Sequence, residues 1–416
     1  MKKNKYSVLI PTRERCDTLA WTLRTCTSQS YENCEFIVSD NVSNDLTRDV
    51  VESFRDSRIK YVNPGRRVSM SANLEYALSN SQGEYITYIG DDDGLIPNAI
   101  DDFDRLLDDL GSPDAVAWRK AEYVWPRFPV VELQGYMMVP LSDRVERRSA
   151  KQMLDRVLAW EVSYLQLPCL YNSFVKRSAI HRATDLSGVF IHSCIPDVYS
   201  AIAVASVIDE YFFSLYPYSM NGASHHSIGG AHFTHGNDAP NASRFLAEND
   251  IPFHEALAMA PCAPIMAAES FLQVGDHIPN RKHVLHVDIR STMREAARVG
   301  ANTMPSVYQT ISEAIRIIAR KHDLGDYAEE LLAHYPNIQG ASSEIMAGYR
   351  LPVQALFLFA NDLGVTNIYD AALACKTIMM LHRNNPLGMP NVIKANVSLL
   401  PLYWKRIKNL LKKRVS

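Results

Sequence analysis

Gly83-Glu84-Tyr85-Ile86-Thr87-Tyr88-Ile89-Gly90-Asp91-Asp92-Asp93-Gly94 is the stretch that decides the fold. Glu84 to Ile89 is a short run rich in β-branched and aromatic residues, the length of a buried strand. It leads straight into three consecutive aspartates. Such a run repels itself unless something positive stands nearby. A hard divalent ion, Mg2+ or Mn2+, accepts carboxylate oxygens and bridges phosphates. An isolated Asp triplet reads equally well as a solvated loop capping the next helix. The flanks shift the balance. A strand running into the carboxylates holds them rigidly at one edge of a sheet, and a glycine on each side lets a phosphate approach the backbone.

Outward from this stretch, strands and helices alternate. Tyr6 to Ile10 is an apolar run stopped by Pro11, and Glu35 to Val38 and Ile59 to Val62 are further short strands. Asp17 can cap a helix carrying Leu19, Leu23 and Cys26, and Asp45 opens another with Val50, Val51 and Phe54. Ser69 to Asn80 reads as a helix, Pro97 begins the next, and Ala115 to Trp118 is a fifth strand. This alternation predicts a parallel sheet with helices on both faces. Ligands of such folds sit at the carboxyl ends of the strands. The polar residues there are Thr12 and Glu14, then Asp40 and Asn41, then Asp91 to Asp93. Carboxylates at three strand ends suit a cation, or a ligand with many hydroxyls and a base edge. No GxGxxG follows the first strand and no GxxxxGK[ST] occurs, so dinucleotide-binding and P-loop readings lack support.

Composition sets the outer bounds. The chain has 416 residues, 47% of them apolar and 21% charged, with a net charge of -3. That is ordinary globular material for two or three domains, and not a bulk electrostatic binder of nucleic acid. The seven cysteines have no zinc-ribbon spacing, and reduced thiols in a cytoplasmic protein are the simpler reading. The apolar run before Pro11 is too short for a signal-peptide core, and no run approaches the roughly 18 apolar residues of a membrane span.

Three motifs in register carry a resemblance. Val8-Leu9-Ile10-Pro11-Thr12-Arg13-Glu14-Arg15, Phe36-Ile37-Val38-Ser39-Asp40-Asn41-Val42-Ser43-Asn44-Asp45, and Gly83 to Asp93 with Pro97 resemble the GT-A glycosyltransferases of family 2. The match is clear over residues 5 to about 120 and weaker to about 235. It implies an α/β GT-A fold with a Rossmann-like mixed sheet, a nucleotide-sugar donor, Mn2+ or Mg2+, and usually inversion at the anomeric carbon. By position, Pro11, Thr12, Arg13, Glu14, Asp40, Asn41 and Asp91 would line the nucleotide, with Arg13 stacking where relatives have an aromatic residue. Asp92, supported by Asp91 or Asp93, would hold the metal. Arg66 and Arg67 would face the diphosphate or stand as exposed arginines.

The resemblance also implies a catalytic base roughly a hundred residues after the metal motif, at a helix start. Asp197, in Ile195-Pro196-Asp197-Val198, fits. Read without it, Asp197 is an acid at a helix N-terminus, stabilised by the helix dipole. Four histidines follow within eleven residues, at 225, 226, 232 and 235, among glycines that suit a mobile lid. In such enzymes a histidine after the base often completes the metal site, which makes His225 and His226 candidate ligands.

From about 240 the strand signals stop. Ser306 to His322, Tyr327 to Tyr335, Leu351 to Asn361 and Tyr369 to His382 read as helices. The expected layout is a GT-A domain over 1–235, a helical domain over 240–400 and a basic amphipathic helix over 401–416. That last segment carries +6 and the body -9. With Trp404 and Tyr403 beside its apolar stripe, it suits an anionic membrane surface, or a helix packed on its own domain with a solvated basic face. The expectation is therefore a cytoplasmic, metal-dependent inverting glycosyltransferase of surface polysaccharide synthesis. It would be peripheral on the inner face of the plasma membrane, acting on a glycan or lipid-linked acceptor, with no nucleic-acid partner and a homo-oligomer left open. A nucleotidyltransferase and a non-catalytic carbohydrate-binding scaffold are the rival readings.

Overall fold

The computed structural model describes residues 4–227, 247–279, 281–338 and 354–384. Strand β1 (Tyr6–Thr12) is buried along nearly its whole length, because its neighbours flank it on both sides. It pairs in parallel with β2 (Cys34–Asp40) and with β4 (Tyr85–Tyr88), and β3 (Ile59–Val62) lies beyond β2. Helices α1 (Cys16–Thr27), α2 (Thr47–Ser53) and α3 (Met70–Ser79) make the crossovers that parallel strands need. Ser69 caps α3, its hydroxyl accepting from the Ala72 N–H. Asp17 is not a cap: α1 starts one residue earlier, and Asp17 lies in its first turn.

The all-parallel expectation holds for this half of the sheet and fails beyond it. Strand β10 (Ser173–Lys176) inserts antiparallel between β4 and β6 (Ala115–Trp118). Strand β11 (Glu210–Ser214) runs parallel to β6, and β9 (Val145–Ser149) closes the edge antiparallel. The sheet has eight strands in the order β3-β2-β1-β4-β10-β6-β11-β9. Helix α4 (Ala99–Leu110) leads into β6, burying Ile100, Phe103 and Leu107.

A second sheet of five strands wraps the ligand edge, in the order β13-β8-β7-β12-β5. Its members are β5 (Gly94–Leu95), β7 (Ala121–Val124), β8 (Tyr136–Pro140), β12 (Ser219–Ala223) and β13 (Ala355–Phe359). Strand β5 leaves directly from the aspartates, and β12 passes beside it.

Strand β13 corrects two readings of the sequence. Within the expected helix 351–361, residues 355–359 are a strand, and strand structure does not stop near 240. Ala355-Leu356-Phe357-Leu358-Phe359 is apolar at every position, so its period of two is masked, yet Ala355, Phe357 and Phe359 point inward and the leucines do not. Helix α12 (Ile368–Asn384) follows and packs on the same side, with Ile368, Ala371, Ala372 and Cys375 in one core with Leu95, Tyr123 and Met220.

The remaining helices fall in two groups. Helices α5 (Ala150–Leu158), α6 (Arg177–Arg182) and α7 (Pro196–Val207) pack against the large sheet. Helices α8 (Ala263–His277), α9 (Ile289–Gly300), α10 (Pro305–Lys321) and α11 (Gly325–His334) share a core of their own, formed by Ile265, Ala268, Met293, Ile311, Ile315 and Leu332. Helix α8 joins the two, since its Ala267, Phe271 and Val274 pack with α7. The segment 401–416, with its expected basic helix, lies outside the described residues, as do His232 and His235.

Candidate active site

Because β1, β2 and β4 are parallel, their carboxyl ends share one edge, and the expected site residues gather there. Thr12 is in register with Asp40, and the Asn41 N–H donates to the Thr12 carbonyl at 2.9 Å. The Thr12 hydroxyl oxygen is buried without a hydrogen-bond partner, an uncompensated polar atom that a ligand can satisfy. Asp40 is occupied: Oδ1 accepts from the Ser43 N–H at 3.0 Å and Oδ2 from the Tyr61 hydroxyl at 2.7 Å. Asn41 is pinned to both backbone groups of Val68. Glu14, at a positive φ of 54°, pairs with Arg67, while Arg13 pairs with Glu248 and Arg66 is exposed. Pro11 completes the strand beside Ser39.

The three aspartates are all buried, at 2% to 6% exposure, so their charges need partners within the fold. Each finds a different one. Asp93 braces the turn, accepting from the Gly90 N–H and the Gly222 N–H, both at 2.7 Å. Burial and the Asp92 charge push its pKa up to about 7. Asp92 Oδ2 accepts from the Ser224 and Ser227 hydroxyls, at 2.5 and 2.8 Å, and Trp125 Nε1 donates to the Asp92 carbonyl. Burial and Asp91 raise the Asp92 pKa, opposed by Arg15 and the two serines. Asp91 Oδ1 accepts from Arg15 Nη1 at 2.9 Å, and Arg15 Nη2 donates to the His226 carbonyl at 2.8 Å. Burial works against the Arg15 charge, but Asp91 and Asp92 outweigh it and lift its pKa.

His225 and His226 do not join these carboxylates. Their imidazoles lie 3.8 Å apart, and Nε2 of His226 is 3.0 Å from Asp17 Oδ1. What reaches Asp92 from this segment is the serine on either side of the pair. Small hydroxyls fit the buried space beside the strand, and the bulkier imidazoles are turned outward onto the first turn of α1.

Asp197 stands where expected, in the first turn of α7, and is the one residue of that helix's twelve that is not buried. Its Oδ2 accepts from the Tyr164 hydroxyl at 2.7 Å, and its carbonyl accepts from Cys169 and Ser200. Burial raises the Cys169 pKa to about 12, so this thiol stays protonated. Lys120, two residues past β6, links the two acidic regions. Its ammonium feels both Asp93 and Asp197, as does the Tyr88 hydroxyl. Lys120 Nζ donates to Asn221 Oδ1 at 3.1 Å and lies 3.9 Å from the centroid of the Tyr171 ring. Tyr171 packs on Tyr88 at 5.1 Å and donates its hydroxyl to the same Asn221 oxygen at 2.6 Å. The result is an aromatic floor with one cation, set between an acidic turn and a single carboxylate.

Comparison with known proteins gives the family of the N-terminal segment. Residues 7–158 match the model of "Glycosyl transferase family 2". This segment belongs to that family. Over 99 residues the chain is 34% identical to a Campylobacter jejuni GalNAc(5)-diNAcBac-PP-undecaprenol beta-1,3-glucosyltransferase, covering 23% of this chain and 32% of the relative. Over 94 residues it is 30% identical to Escherichia coli WfaP, a UDP-Glc:alpha-D-GlcNAc-diphosphoundecaprenol beta-1,3-glucosyltransferase, covering 23% of this chain and 38% of that one. The chain thus spans about a third of the length of these curated relatives. A solved structure of S. aureus TarS 1–349 in complex with UDP-GlcNAc superposes with a TM-score of 0.47 at 11% identity, covering 85% of this chain and 97% of that one. The fold is the GT-A-like α/β arrangement of the family 2 segment, a mixed sheet with the acidic turn at its ligand edge, followed by helices.

Sequence reasoning missed Arg15, Lys120, Tyr164, Tyr171, Ser224 and Ser227. Arg15 closes the motif Pro11 to Arg15, so its place at the strand end was a usable signal. Lys120 reaches the site through β6, and Tyr164 and Tyr171 through the turns Tyr164–Gln166 and Leu170–Asn172 before β10, and no spacing announces that.

Proposed function

We propose that this chain is an inverting glycosyltransferase that moves a sugar from a nucleoside diphosphate donor to a lipid-linked saccharide. The carrying observation is the pairing, across the Tyr88–Tyr171–Lys120 floor, of a buried acidic turn with Asp197. The acceptor hydroxyl attacks the anomeric carbon, its proton passes to Asp197, and the bond to the diphosphate oxygen breaks on the opposite face. The hydrogen bond from Tyr164 to Oδ2 fixes the carboxylate and leaves Oδ1 for the proton. The orphan Thr12 hydroxyl and the edge around Asp40 suit the nucleoside.

The residues fit a hard divalent cation. Three buried carboxylates face two cationic side chains, Arg15 and Lys120, and the raised Asp92 pKa marks charge that remains under-neutralised. Asp92 and Asp91 would hold Mg2+ or Mn2+, which would supply neutralisation of the charge growing on the departing diphosphate. Asp93, with both oxygens on backbone N–H groups, would keep the turn in shape.

The names of the two curated relatives point to undecaprenyl diphosphate-linked saccharides as the acceptor class and, for WfaP, to UDP-glucose as donor. A β linkage made from an α-linked nucleotide sugar is inversion. Among the described residues no helix is long and apolar enough to cross a membrane. The basic segment 401–416 would hold the enzyme, on the cytoplasmic side, at the anionic surface where such acceptors reside.

The test is product analysis with a panel of nucleotide sugars, a polyprenyl diphosphate-linked acceptor and Mn2+. Release of nucleoside diphosphate with a new β-linked sugar supports the reading. Release of pyrophosphate would make the chain a nucleotidyltransferase, and glycan binding with no donor turnover would make it a scaffold. Full activity in EDTA would remove the metal.

A further inference from the structure

Away from the acidic turn, three side chains from three segments converge. Asp185 follows α6, His192 lies in the loop entering α7, and His277 ends α8. One ligand atom from each lies within 4.8 Å of the other two. The two imidazole rings are stacked, 4.0 Å between centroids and 2° between planes. His192 Nε2 is 3.2 Å from Asp185 Oδ2, yet it is buried and makes no hydrogen bond, because the carboxylate lies off the direction that such a bond needs.

We propose that Asp185, His192 and His277 form a second cation site that takes a borderline divalent ion, with Zn2+ the best fit. The donor set differs in kind from the acidic turn. Two imidazole nitrogens and one carboxylate oxygen suit zinc, whereas carboxylates alone suit Mg2+ or Mn2+. Zinc bonds of about 2.0–2.1 Å in tetrahedral geometry put ligand atoms about 3.3 Å apart, so zinc would draw together atoms now within 4.8 Å of one another and turn the parallel rings out of face contact.

The segments that carry Asp185 and His192 are already held. Asp185 Oδ1 accepts from the Ser187 and Val189 N–H groups, at 2.8 and 2.9 Å. The Glu75 carboxylate accepts from the Phe190 and Ile191 N–H groups, and Ser193 donates to Glu269 of α8 at 2.6 Å. His192 is thus fixed between two anchored neighbours, five residues before Asp197. Zinc here would tie the end of α8 to the loop that delivers Asp197, leaving a fourth position for water.

The test uses the full chain with His225→Gln and His226→Gln, so that the pair on Asp17 adds no zinc of its own. Equilibrium dialysis with ZnCl2 in excess MgCl2, which occupies the acidic turn, should show one bound equivalent, and zinc should raise the thermal midpoint. Adding His277→Gln, at a helix end, should weaken binding tenfold or more and abolish the thermal shift; His192→Gln should do the same. Co2+ should give the intense visible absorption of a four-coordinate site. Unchanged zinc affinity in both variants, or a folded parent that takes up no zinc at about 100 µM, overturns the proposal. The readouts involve no donor or acceptor, so their failure leaves the glycosyltransferase reading standing, and the reverse also holds.

Discussion

Arg15→Met is the sharpest perturbation of the site. Arg15 is one-fifth exposed at its side chain and its partner Asp91 only 3%, so the pair is largely desolvated. Met keeps the length and apolar stem of the side chain and removes the charge. Breaking a buried pair by deleting one partner costs about 3–5 kcal/mol, most of it from the charge left behind; the partial exposure of Arg15 argues for about 3 kcal/mol. The cost should not rest on Asp91 alone. Arg15 also holds down the Asp92 pKa, so without it Asp92 takes up a proton more readily. The assay is urea unfolding at pH 7.5 of four proteins: the parent, Arg15→Met, Asp91→Asn and the double variant. Because the chain has more than one core, the comparison is made on the transition that reports the family 2 segment. The double variant should recover about 2 kcal/mol of the single-variant loss, since the orphaned charge goes with its partner. Mn2+ should stabilise Arg15→Met more than the parent, by supplying the missing positive charge. Additive single-variant costs, with a coupling below about 0.5 kcal/mol, would refute the claim that Arg15 neutralises the acidic turn.

Asp197→Asn should lower turnover about 10²–10⁴-fold while donor affinity, read by calorimetry, stays put; an equal loss of both would deny it the role of base. Gly222→Ala places a methyl on the Asp92 carbonyl oxygen, a backbone atom that cannot yield, so the variant should unfold readily or lose cation binding, as thermal melting and Mn2+ titration will show. Asp93, raised to about 7 against about 3.9 when unfolded, binds more protons in the folded state between those values. Its contribution is therefore full below about pH 4 and lost as pH rises through about 7, with a limiting slope of about 1.4 kcal/mol per pH unit. Asp93→Asn should flatten that fall in a melting series from pH 4 to 8, and a parent whose stability rises there through this group contradicts the assignment.

The donor half of the fold was legible because each of its elements is complete in sequence. An apolar strand, a polar strand end and an amphipathic helix follow each other from Tyr6 to Trp118, and local rules read each in turn. Past Trp118 those rules lose purchase. Strands β7 to β12 are four or five residues long, and turns, not α-helices, join β7 to β8, β8 to β9 and β11 to β12. Strand β10 enters the sheet against the direction of its neighbours, and β13 arrives from more than 200 residues away to pair with β8. Pairing at that range leaves no periodic trace. The site divides the same way. Asp91 to Asp93 and Asp197 were visible because each opens or closes an element. Lys120, Tyr164 and Tyr171 were not, because only the packing of β6 and the turns before β10 brings them together.

The three aspartates look equivalent in sequence, and their hydrogen bonds make them unlike. Asp93 has given both oxygens to backbone donors from its own turn and from β12, so it fixes where the turn sits. Asp91 is matched to Arg15, a charge the chain carries itself. Asp92 has only the hydroxyls of Ser224 and Ser227, which supply dipoles and no charge. Dipoles stabilise a buried carboxylate but do not neutralise it, and its pKa stays raised. Asp93 likewise lacks a charged partner, but both its oxygens are taken by backbone donors, so the oxygen left for a cation is on Asp92. A cation that binds there competes with the serine hydroxyls for the same oxygen, or takes the other oxygen and leaves the serines in place. The second course costs no hydrogen bonds and keeps the 224–227 turn tied to the site, where Arg15 also holds it through the His226 carbonyl. Ser224→Ala should then weaken Mn2+ binding by loosening the carboxylate. Were Mn2+ to displace the serines, the same substitution would tighten it, and an Mn2+ titration of that variant separates the two.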